Sequence, residues 1–399
     1  MPGTIAQSNV LAMAAITPNK TKNFLLFALL IPCWIIASHY NVDLVNLYAA
    51  AQYTHSDLTR IYAQNGNLGR YFYGPFSLIL IKPLALYPFE VVKWFWILLQ
   101  TISYGVFWVF LYRLYPFLKD NKIFWGWLLI WIVAINPIHN NYQSNNIQLM
   151  LAALVVVAEV WSRTTSKTKQ FLAGALVVLA AMIKVFPLFL VGYYFFFKPA
   201  QVRKGLLLSS AVMMAAPLLF FGNTAGMQLY KDFFLNLGTY SVENNFLKVP
   251  DILCLPSLLA RFGIAPNLIQ MSVVLISIIF FIWVGLRQKD LVQPRLNLHY
   301  TALAWALCVF LNPSSRPHYF IFYLPAFCSL MEIVYRRTKS AELVIGAIVS
   351  TFLIAFTAEG ITGKRLNDTF EFKSVPTYGM IILCLILIYA IRHSANQRT

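Results

Sequence analysis

Residues 170–197 read QFLAGALVVLAAMIKVFPLFLVGYYFFF, 28 positions whose single charge is Lys184, with Pro187 three residues further on. One helix of ~20 apolar residues already spans the ~30 Å hydrocarbon core of a bilayer. The stretch is therefore too long for one crossing and too apolar for an ordinary soluble helix. Proline removes a helical hydrogen bond and clashes with the preceding turn, and broken helix is tolerated at membrane depth only inside protein or beside a water-filled cavity. The run thus reads as two short helices meeting at a break, with an ammonium at the break.

Further apolar runs lie on both sides, at about 24–38, 72–87, 90–112, 122–136, 145–161, 203–221, 267–286, 298–312, 317–335, 341–358 and 377–391. Hydrophobic residues make up 59% of the chain and charged residues 11%, a balance that cannot supply a soluble surface. The 32 Phe, 21 Tyr and 10 Trp exceed what one compact core holds, but they suit lipid-facing and interfacial positions. Disorder, a fibrous repeat and a disulfide scaffold are excluded. No repeat of 20–50 residues and no Gly- or Ser-rich linker divides the chain, so residues 1–399 read as a single integral membrane domain.

The net charge of +17 would raise the question of nucleic acid in a soluble chain. Here it follows from membrane orientation. Lys20 and Lys22; Arg113, Lys119 and Lys122; Arg163, Lys167 and Lys169; Lys198, Arg203 and Lys204; Arg287, Lys289 and Arg295; Arg336, Arg337 and Lys339; and Arg392 and Arg398 fall in alternate loops, which places those loops in the cytoplasm. The opposite side carries the longer loops 39–71, 222–266 and 359–376 with fewer positive charges. The alternation closes if 72–87, with Pro75, Lys82, Pro83 and Pro88, dips in and returns; a true crossing there, with a neighbouring run divided differently, is the alternative. About twelve crossings then remain in an all-α polytopic protein of the cytoplasmic (inner) membrane. The first run, preceded by Lys20 and Lys22, reads as an uncleaved anchor rather than a cleaved signal, because no small-x-small site closes it before Tyr40. Cys33, Cys308, Cys328 and Cys384 lie in apolar runs and Cys254 in a long loop, a distribution that suits packing rather than redox or metal chemistry.

Acidic residues on the outer side are few: Asp43, Asp57, Asp232, Glu243, Asp251, Glu359, Asp368 and Glu371. Asp43 follows the first span closely, at the depth where an outer cavity meets the membrane surface. A partly desolvated carboxylate there has the chemistry to deprotonate a hydroxyl; the same residue also suits a helix N-cap, since Leu44 to Tyr53 has helical apolar spacing. Asn136-Pro137-Ile138-His139-Asn140-Asn141-Tyr142-Gln143-Ser144-Asn145-Asn146 is polar without a formal charge. Such a surface hydrogen-bonds sugar hydroxyls, or forms a Pro/Asn turn between two helices. Lys184 and the segment Arg316-Pro317-His318, beyond Asn312-Pro313, place cationic and hydrogen-bonding groups on the same outer face, where together they would hold a phosphate. Snorkelling of Lys184 and an interfacial role for His318 are the simpler alternatives. Tyr71-Phe72-Tyr73-Gly74-Pro75 offers aromatic surface for stacking or for an interfacial belt. Zinc, Walker and dinucleotide motifs are missing from the sequence. A divalent ion would have only Asp43 and another loop carboxylate to hold it, so no metal site and no cofactor is assigned.

In order along the chain, these elements resemble glycosyltransferase family 87, polytopic GT-C enzymes whose characterised members use polyprenol-phosphate-mannose. The family's acid after the first span resembles Asp43 with Tyr48, and its Tyr-x-Tyr-Pro-Pro element resembles Tyr71 to Pro75. Its Asn/Gln-rich loop resembles Asn136 to Asn145, its Lys-x-x-Pro break resembles Lys184 to Pro187, and its Ser/Asn-Pro-x-Ser-x-x-His element resembles Asn312 to His318. Coverage runs from about residue 24 to 335. Gly74 replaces a usual proline, and the Asn-Gln-Ser element of the large outer loop is degenerate near Glu243-Asn244-Asn245-Phe246.

The resemblance implies a GT-C-type fold whose extracytoplasmic loops cover an outer cavity. It also implies an inverting transfer of a sugar, mannose in the characterised members, from polyprenyl phosphate to a glycolipid or glycan acceptor, among membrane lipids and without nucleic acid. Asp43 would be the base, and Lys184, Arg316 and His318 would hold the donor phosphate. Tyr48, Tyr71, Tyr73, Asn136, His139, Asn140, Gln143 and Asn145 would contact donor or acceptor sugars. A lipid-linked sugar flippase or transporter, and an O-antigen-type polymerase or ligase using a diphosphate donor, are the competing readings.

Overall fold

A computed structural model describes residues 20–53, 61–62, 73–242, 247–337, 340–355 and 363–396. Asp57, Tyr71, Glu359 and the degenerate element at 243–246 lie outside these residues. The described chain is helical: α1 (Lys20–His39), α2 (Val42–Gln52), α3 (Pro75–Ile81, prolonged by the 3-10 stretch Lys82–Leu86), α4 (Phe89–Leu114), α5 (Phe124–Ser144), α6 (Gln148–Ser162), α7 (Lys167–Ile183), α8 (Leu188–Phe197), α9 (Ala200–Phe221), α10 (Asn223–Val242), α11 (Leu255–Arg261), α12 (Pro266–Gly285), α13 (Pro294–Phe310), α14 (Leu324–Arg337, continuing the 3-10 run Pro317–Tyr323), α15 (Ala341–Ala355), α16 (Lys364–Phe372) and α17 (Val375–Asn396). Among the described residues there is no strand.

Each apolar run of the sequence has become a helix, and the run at 170–197 divides where Lys184 and Pro187 interrupt it. Among the described residues seven helices are long and apolar enough to cross a membrane. The other five of the expected twelve crossings correspond to α6, α7, α8, α13 and α15, of 15, 17, 10, 17 and 15 residues. These are shorter than a bilayer-spanning helix and rely on neighbours to bury their ends. On α12, Leu275, Ile278, Ile279 and Ile282 are exposed while Phe280 and Val284 face the bundle. An outward apolar face of this kind is soluble in lipid and not in water. Helices α7 and α9 approach through Gly174 and Gly205, where an added Cβ would overlap the carbonyl oxygens of Val202 and Phe171. Small residues make such close backbone packing possible where no hydrophobic effect draws helices together.

The short α3 segment begins at Gly74, whose N–H donates to Ile183 O (3.1 Å), and is followed by Tyr87, whose carbonyl accepts from Tyr48 Oη (2.9 Å). Both contacts lie at the end of the bundle where α1 meets α2. Its 12 residues cover roughly 20 Å at helical rises, too little for a crossing alone.

Lys22, Arg163 and Lys198 lie at the opposite end. Lys22 Nζ donates to Leu118 O (2.9 Å) and Asp120 O (2.8 Å), and Tyr335 Oη donates to Asp120 Oδ2 (2.8 Å). Buried Glu159 on α6 accepts from Lys198 Nζ (2.8 Å), Tyr194 Oη (2.7 Å) and Arg163 Nε (2.6 Å). Lys198 also reaches Asn297 and Thr301 at 3.0 and 2.9 Å, fastening α6, α8 and α13 together.

Two expectations are corrected. The Asn136–Asn146 stretch is not a loop. Pro137 lies inside α5, which continues to Ser144, because proline forfeits a single backbone donor and the following amides pack inward. The turn is the short connection 145–147, opened by Asn145 in the left-handed conformation (φ 49°), a region that Asn tolerates better than most residues. Nor does Asp43 cap α2: the N-cap is Asn41, without a side-chain cap hydrogen bond, and Asp43 lies in the first turn. The 222–266 segment is largely helical, as α10 and α11.

Candidate functional site

The site is built around Asn146, the middle residue of the Asn145–Ile147 connection between α5 and α6. Its Oδ1 accepts from the backbone N–H of Ile147 (2.7 Å) and Gln148 (3.3 Å) and from Lys184 Nζ (3.3 Å). Three donors converging on one atom identify it as the oxygen and leave Nδ2 as the donor. Nδ2 donates to Asp43 Oδ2 and lies 3.1 Å from His318 Nε2. Because an amide nitrogen can only donate, His318 Nε2 accepts. The imidazole is therefore neutral, with its proton on Nδ1. One side chain thus joins α2, the α7–α8 break and the 3-10 run before α14.

Lys184 does not snorkel. It is 6% exposed, and its Nζ sits between the rings of Tyr73 (5.1 Å) and Tyr319 (4.8 Å). Inserting a lysine at bilayer depth costs about 2.5–3.5 kcal/mol. Two desolvated ring faces at up to ~2 kcal/mol each, with the Asn146 oxygen, offset much of this. Tyr73 is brought there by Gly74, where a Cβ would overlap the Met182 carbonyl oxygen.

His318 is carried by a tight turn. Ser315 Oγ donates to Val309 O (2.7 Å) and Asn312 Nδ2 donates to Ser315 Oγ (3.0 Å). The 249–261 segment packs on this turn, with Leu253 N donating to Ser315 O (2.8 Å). Arg316, two positions before His318, pairs with Asp251 at 3.3 Å. Arg261 secures the segment by donating to the carbonyl oxygens of Val249, Pro250, Ile252, Glu371 and Phe372.

The structure thus gathers Asp43, Lys184, His318 and Tyr73, and separates other sequence candidates from them. Asn145 is fully buried and serves as a pin. Its amide donates to Ala37 O (2.9 Å), Tyr40 O (2.6 Å) and Asn41 Oδ1 (3.0 Å), and its Oδ1 accepts from Gln100 (2.8 Å). Asn140 donates to the Asn136 backbone and side-chain oxygens at 3.0 and 2.5 Å. His139 and Gln143 are half-buried on the last turns of α5. Tyr48 is held at Tyr87 and packs against Phe89 with centroids 5.3 Å apart.

Sequence reasoning missed Asn146 as the hub although it ends the quoted polar run. Gln148 was also missed. It is fully buried, and among the described residues neither of its side-chain amide atoms has a hydrogen-bond partner. No composition or spacing signal marks either residue. Among the described residues, no group of three or more His, Cys, Asp or Glu side chains is placed to hold a metal ion.

Two cavities flank the cluster. One, of about 350 Å³, is lined by Lys184, Asn312, Ser314 and Tyr319 on its polar side and by Phe189, Leu237 and Val273 on its apolar side. The other, of about 460 Å³, lies among α3, α4, α6 and α7.

Helices long and apolar enough to cross a membrane, surrounding a buried polar cluster, define the class as an all-α polytopic membrane protein. The sequence matches glycosyltransferase family 87 over residues 71–313, more than half of the chain, and the protein belongs to that family. Asp43 precedes the matched region and His318 follows it, while Asn146 and Lys184, which bind or face them, lie inside. No curated protein and no solved structure matches the chain.

Proposed function

We propose that this glycosyltransferase moves a sugar, mannose in our reading, from a polyprenyl-phosphate donor to a lipid-linked or glycan acceptor, with inversion. The reaction takes place at the extracytoplasmic face of the cytoplasmic membrane. The observation that carries this reading is the single amide of Asn146 holding a carboxylate, a neutral imidazole and an ammonium together.

The acceptor hydroxyl gives its proton to the Asp43 carboxylate as its oxygen bonds to the sugar C1. The C1–O bond to phosphate breaks on the opposite face, and the electron pair leaves with the polyprenyl phosphate. Lys184 neutralises the charge that grows there, and His318 offers its Nδ1–H to the same oxygens, so both act most strongly where charge develops. Asn312 and Ser314, on the polar wall of the 350 Å³ cavity, hold the phosphate. Arg316 joins them by exchanging Asp251 for the ligand. The apolar wall of that cavity takes the first prenyl units. In this reading Asn136, His139, Asn140 and Gln143 of α5 contact the sugars as they enter. The position of Lys22, Arg163 and Lys198 at the far end of the bundle supports the orientation, since positive loops stay in the cytoplasm.

Asp43→Asn tests this reading directly. Purified protein in liposomes is given polyprenyl-phosphate-mannose and, separately, a polyprenyl-diphosphate sugar. Loss of transfer from the monophosphate donor, with an unchanged melting temperature, is expected. Undiminished turnover by the variant removes Asp43 as the base, and preference for the diphosphate moves the enzyme to the polymerase or ligase class.

A further inference from the structure

Three amides beside the cluster, Asn141, Gln100 and Asn145, are at most 1% exposed and form one chain of hydrogen bonds. Leu149 N, in the first turn of α6, donates to Asn141 Oδ1 (3.1 Å). Asn141 Nδ2 donates to Gln100 Oε1 (2.5 Å), and Gln100 Nε2 donates to Asn145 Oδ1 (2.8 Å). Asn145 Nδ2 then donates to the backbone oxygens of Ala37 and Tyr40 and to Asn41 Oδ1.

The chain runs one way only. A backbone N–H, which can only donate, closes one end, and backbone oxygens, which can only accept, close the other. Each amide between them is thereby fixed with its oxygen towards α6 and its nitrogen towards α1. The middle position has to accept and donate at once. Glutamine does both, whereas an apolar side chain of the same length does neither.

The two ends of the chain are the two turns on which the site depends. At the α6 end, Asn141 O also accepts from Asn146 N (2.9 Å), so Asn141 holds the hub by main chain and side chain alike. At the α1 end, Asn41 is the N-cap of α2, and Asp43 follows two residues later. Gln100, in the middle of α4, is the link between the turn that carries Asp43 and the turn that carries Asn146. Neither of the two cavities is lined by Gln100, Asn141 or Asn145, so their part in the reaction is played through Asp43 and Asn146 and not by touching a ligand.

Stability does not account for the chain. Hydrogen bonds between helices add little net stability in a bilayer, because the unfolded chain in lipid also finds partners. Helices α1 and α4 are in any case joined without it, by Tyr104 Oη to Leu26 O (2.8 Å) and Trp34 Nε1 to Thr101 Oγ1 (2.9 Å). Positioning does account for it, since a displacement of about 1 Å between reacting groups costs on the order of 100-fold in rate. We propose that Gln100 is a positioning residue of the transfer: through Asn145 and Asn141 it sets the Asp43 carboxylate against the Asn146 hub. This rests on the reading of Asp43 as the base.

The test compares Gln100→Met, which keeps the length of the side chain but breaks the relay, with Tyr104→Phe, which removes an α1–α4 hydrogen bond outside it. Each variant in liposomes is given polyprenyl-phosphate-mannose with hexadecyl mannoside as acceptor, and hydrogen exchange and thermal unfolding are measured on the same preparations. Gln100→Met is expected to lower kcat at least ten-fold, with both KM values within two-fold and the unfolding temperature close to wild type. Exchange should quicken in the peptide spanning residues 37–48. Tyr104→Phe should turn over within two-fold of wild type. Combined with Asp43→Asn, Gln100→Met should slow the residual rate less than two-fold further, because both act through one group. Asn141→Leu breaks the relay at its next member should Gln100→Met fail to fold. Wild-type turnover by Gln100→Met, unchanged exchange at 37–48, an equal loss in Tyr104→Phe, or a multiplied loss in the double variant overturns the proposal, as does failure of both relay variants to fold. Undiminished turnover by Asp43→Asn alone removes the base, while the exchange at 37–48 still reports whether Gln100 holds the turn, so the two failures are read separately.

Discussion

Asp43 on α2 and Lys184 at the α7–α8 break hold opposite ends of one side-chain amide. Asn146 Nδ2 donates to the Asp43 carboxylate, and Asn146 Oδ1 accepts from the Lys184 ammonium at 3.3 Å. Carboxylate and ammonium are thus kept at a fixed separation without forming an ion pair that would neutralise both. An inverting transfer needs this division, with a base on one face of the sugar carbon and a cation on the other.

Asn146→Asp replaces the donor to Asp43 with a second carboxylate while leaving an oxygen for Lys184. Like charges side by side displace Asp43 and break the tie to His318. Turnover with polyprenyl-phosphate-mannose is expected to fall by about 100-fold, the scale of a misplaced catalytic group, with donor KM changing much less. Steady-state kinetics with separately varied donor and acceptor check the split.

Lys184→Met removes the buried ammonium and keeps the length of the side chain between Tyr73 and Tyr319. The rate is expected to fall by about 10²–10³, the usual loss for one group that stabilises transition-state charge. Stability is expected to hold or rise, because the ammonium's desolvation is removed with it. Turnover and thermal unfolding measured on one preparation decide this; a parallel loss of both would make Lys184 a structural residue.

At the far end, Glu159→Gln leaves Lys198, buried among Tyr194, Asn297 and Thr301, without its counter-charge. Breaking a buried pair from one side is worth roughly 3–5 kcal/mol. A large drop in unfolding temperature is expected, with the KM values of the folded fraction unchanged.

Cys254 tests the packing of the segment over the site. Burial pushes its thiol from the ordinary 9.0 up to about 12. A folded-state pKa above the unfolded value favours the folded protein fully below the unfolded pKa, and this contribution is lost as pH rises from about 9 towards 12. Stability should therefore decline across that alkaline window, less so in Cys254→Ser. At about pH 8 a polar maleimide should leave native Cys254 unmodified and label it once the protein is unfolded, since reaction needs an accessible thiolate. Mass spectrometry of the labelled peptides gives the answer.

Much of the fold was legible in the sequence because the cues are local. Lys184 and Pro187 divide the 170–197 run whatever surrounds them, and the apolar runs mark their helices because lipid demands the same pattern everywhere. The site was legible in part. Asp43, Lys184 and His318 stood out as isolated polar groups beside apolar spans. The amides of α5 could not be sorted by composition: Asn145 and Asn146 are chemically identical neighbours, yet one pins α1 to α4 and the other joins the cluster. Arg316 looked equivalent to Lys184 until Asp251, 65 positions earlier in the chain, was found beside it.

The sequence by itself determined a helical membrane protein with an ammonium at a broken helix and an acid close behind its first span, since these follow from hydropathy, proline and charge acting over a few residues. Only the tertiary structure decided which amide unites them and which cations face the cavities. A side chain's direction depends on the rotation of its helix and on the left-handed turn at Asn145, and both are settled by packing against residues far away in the chain.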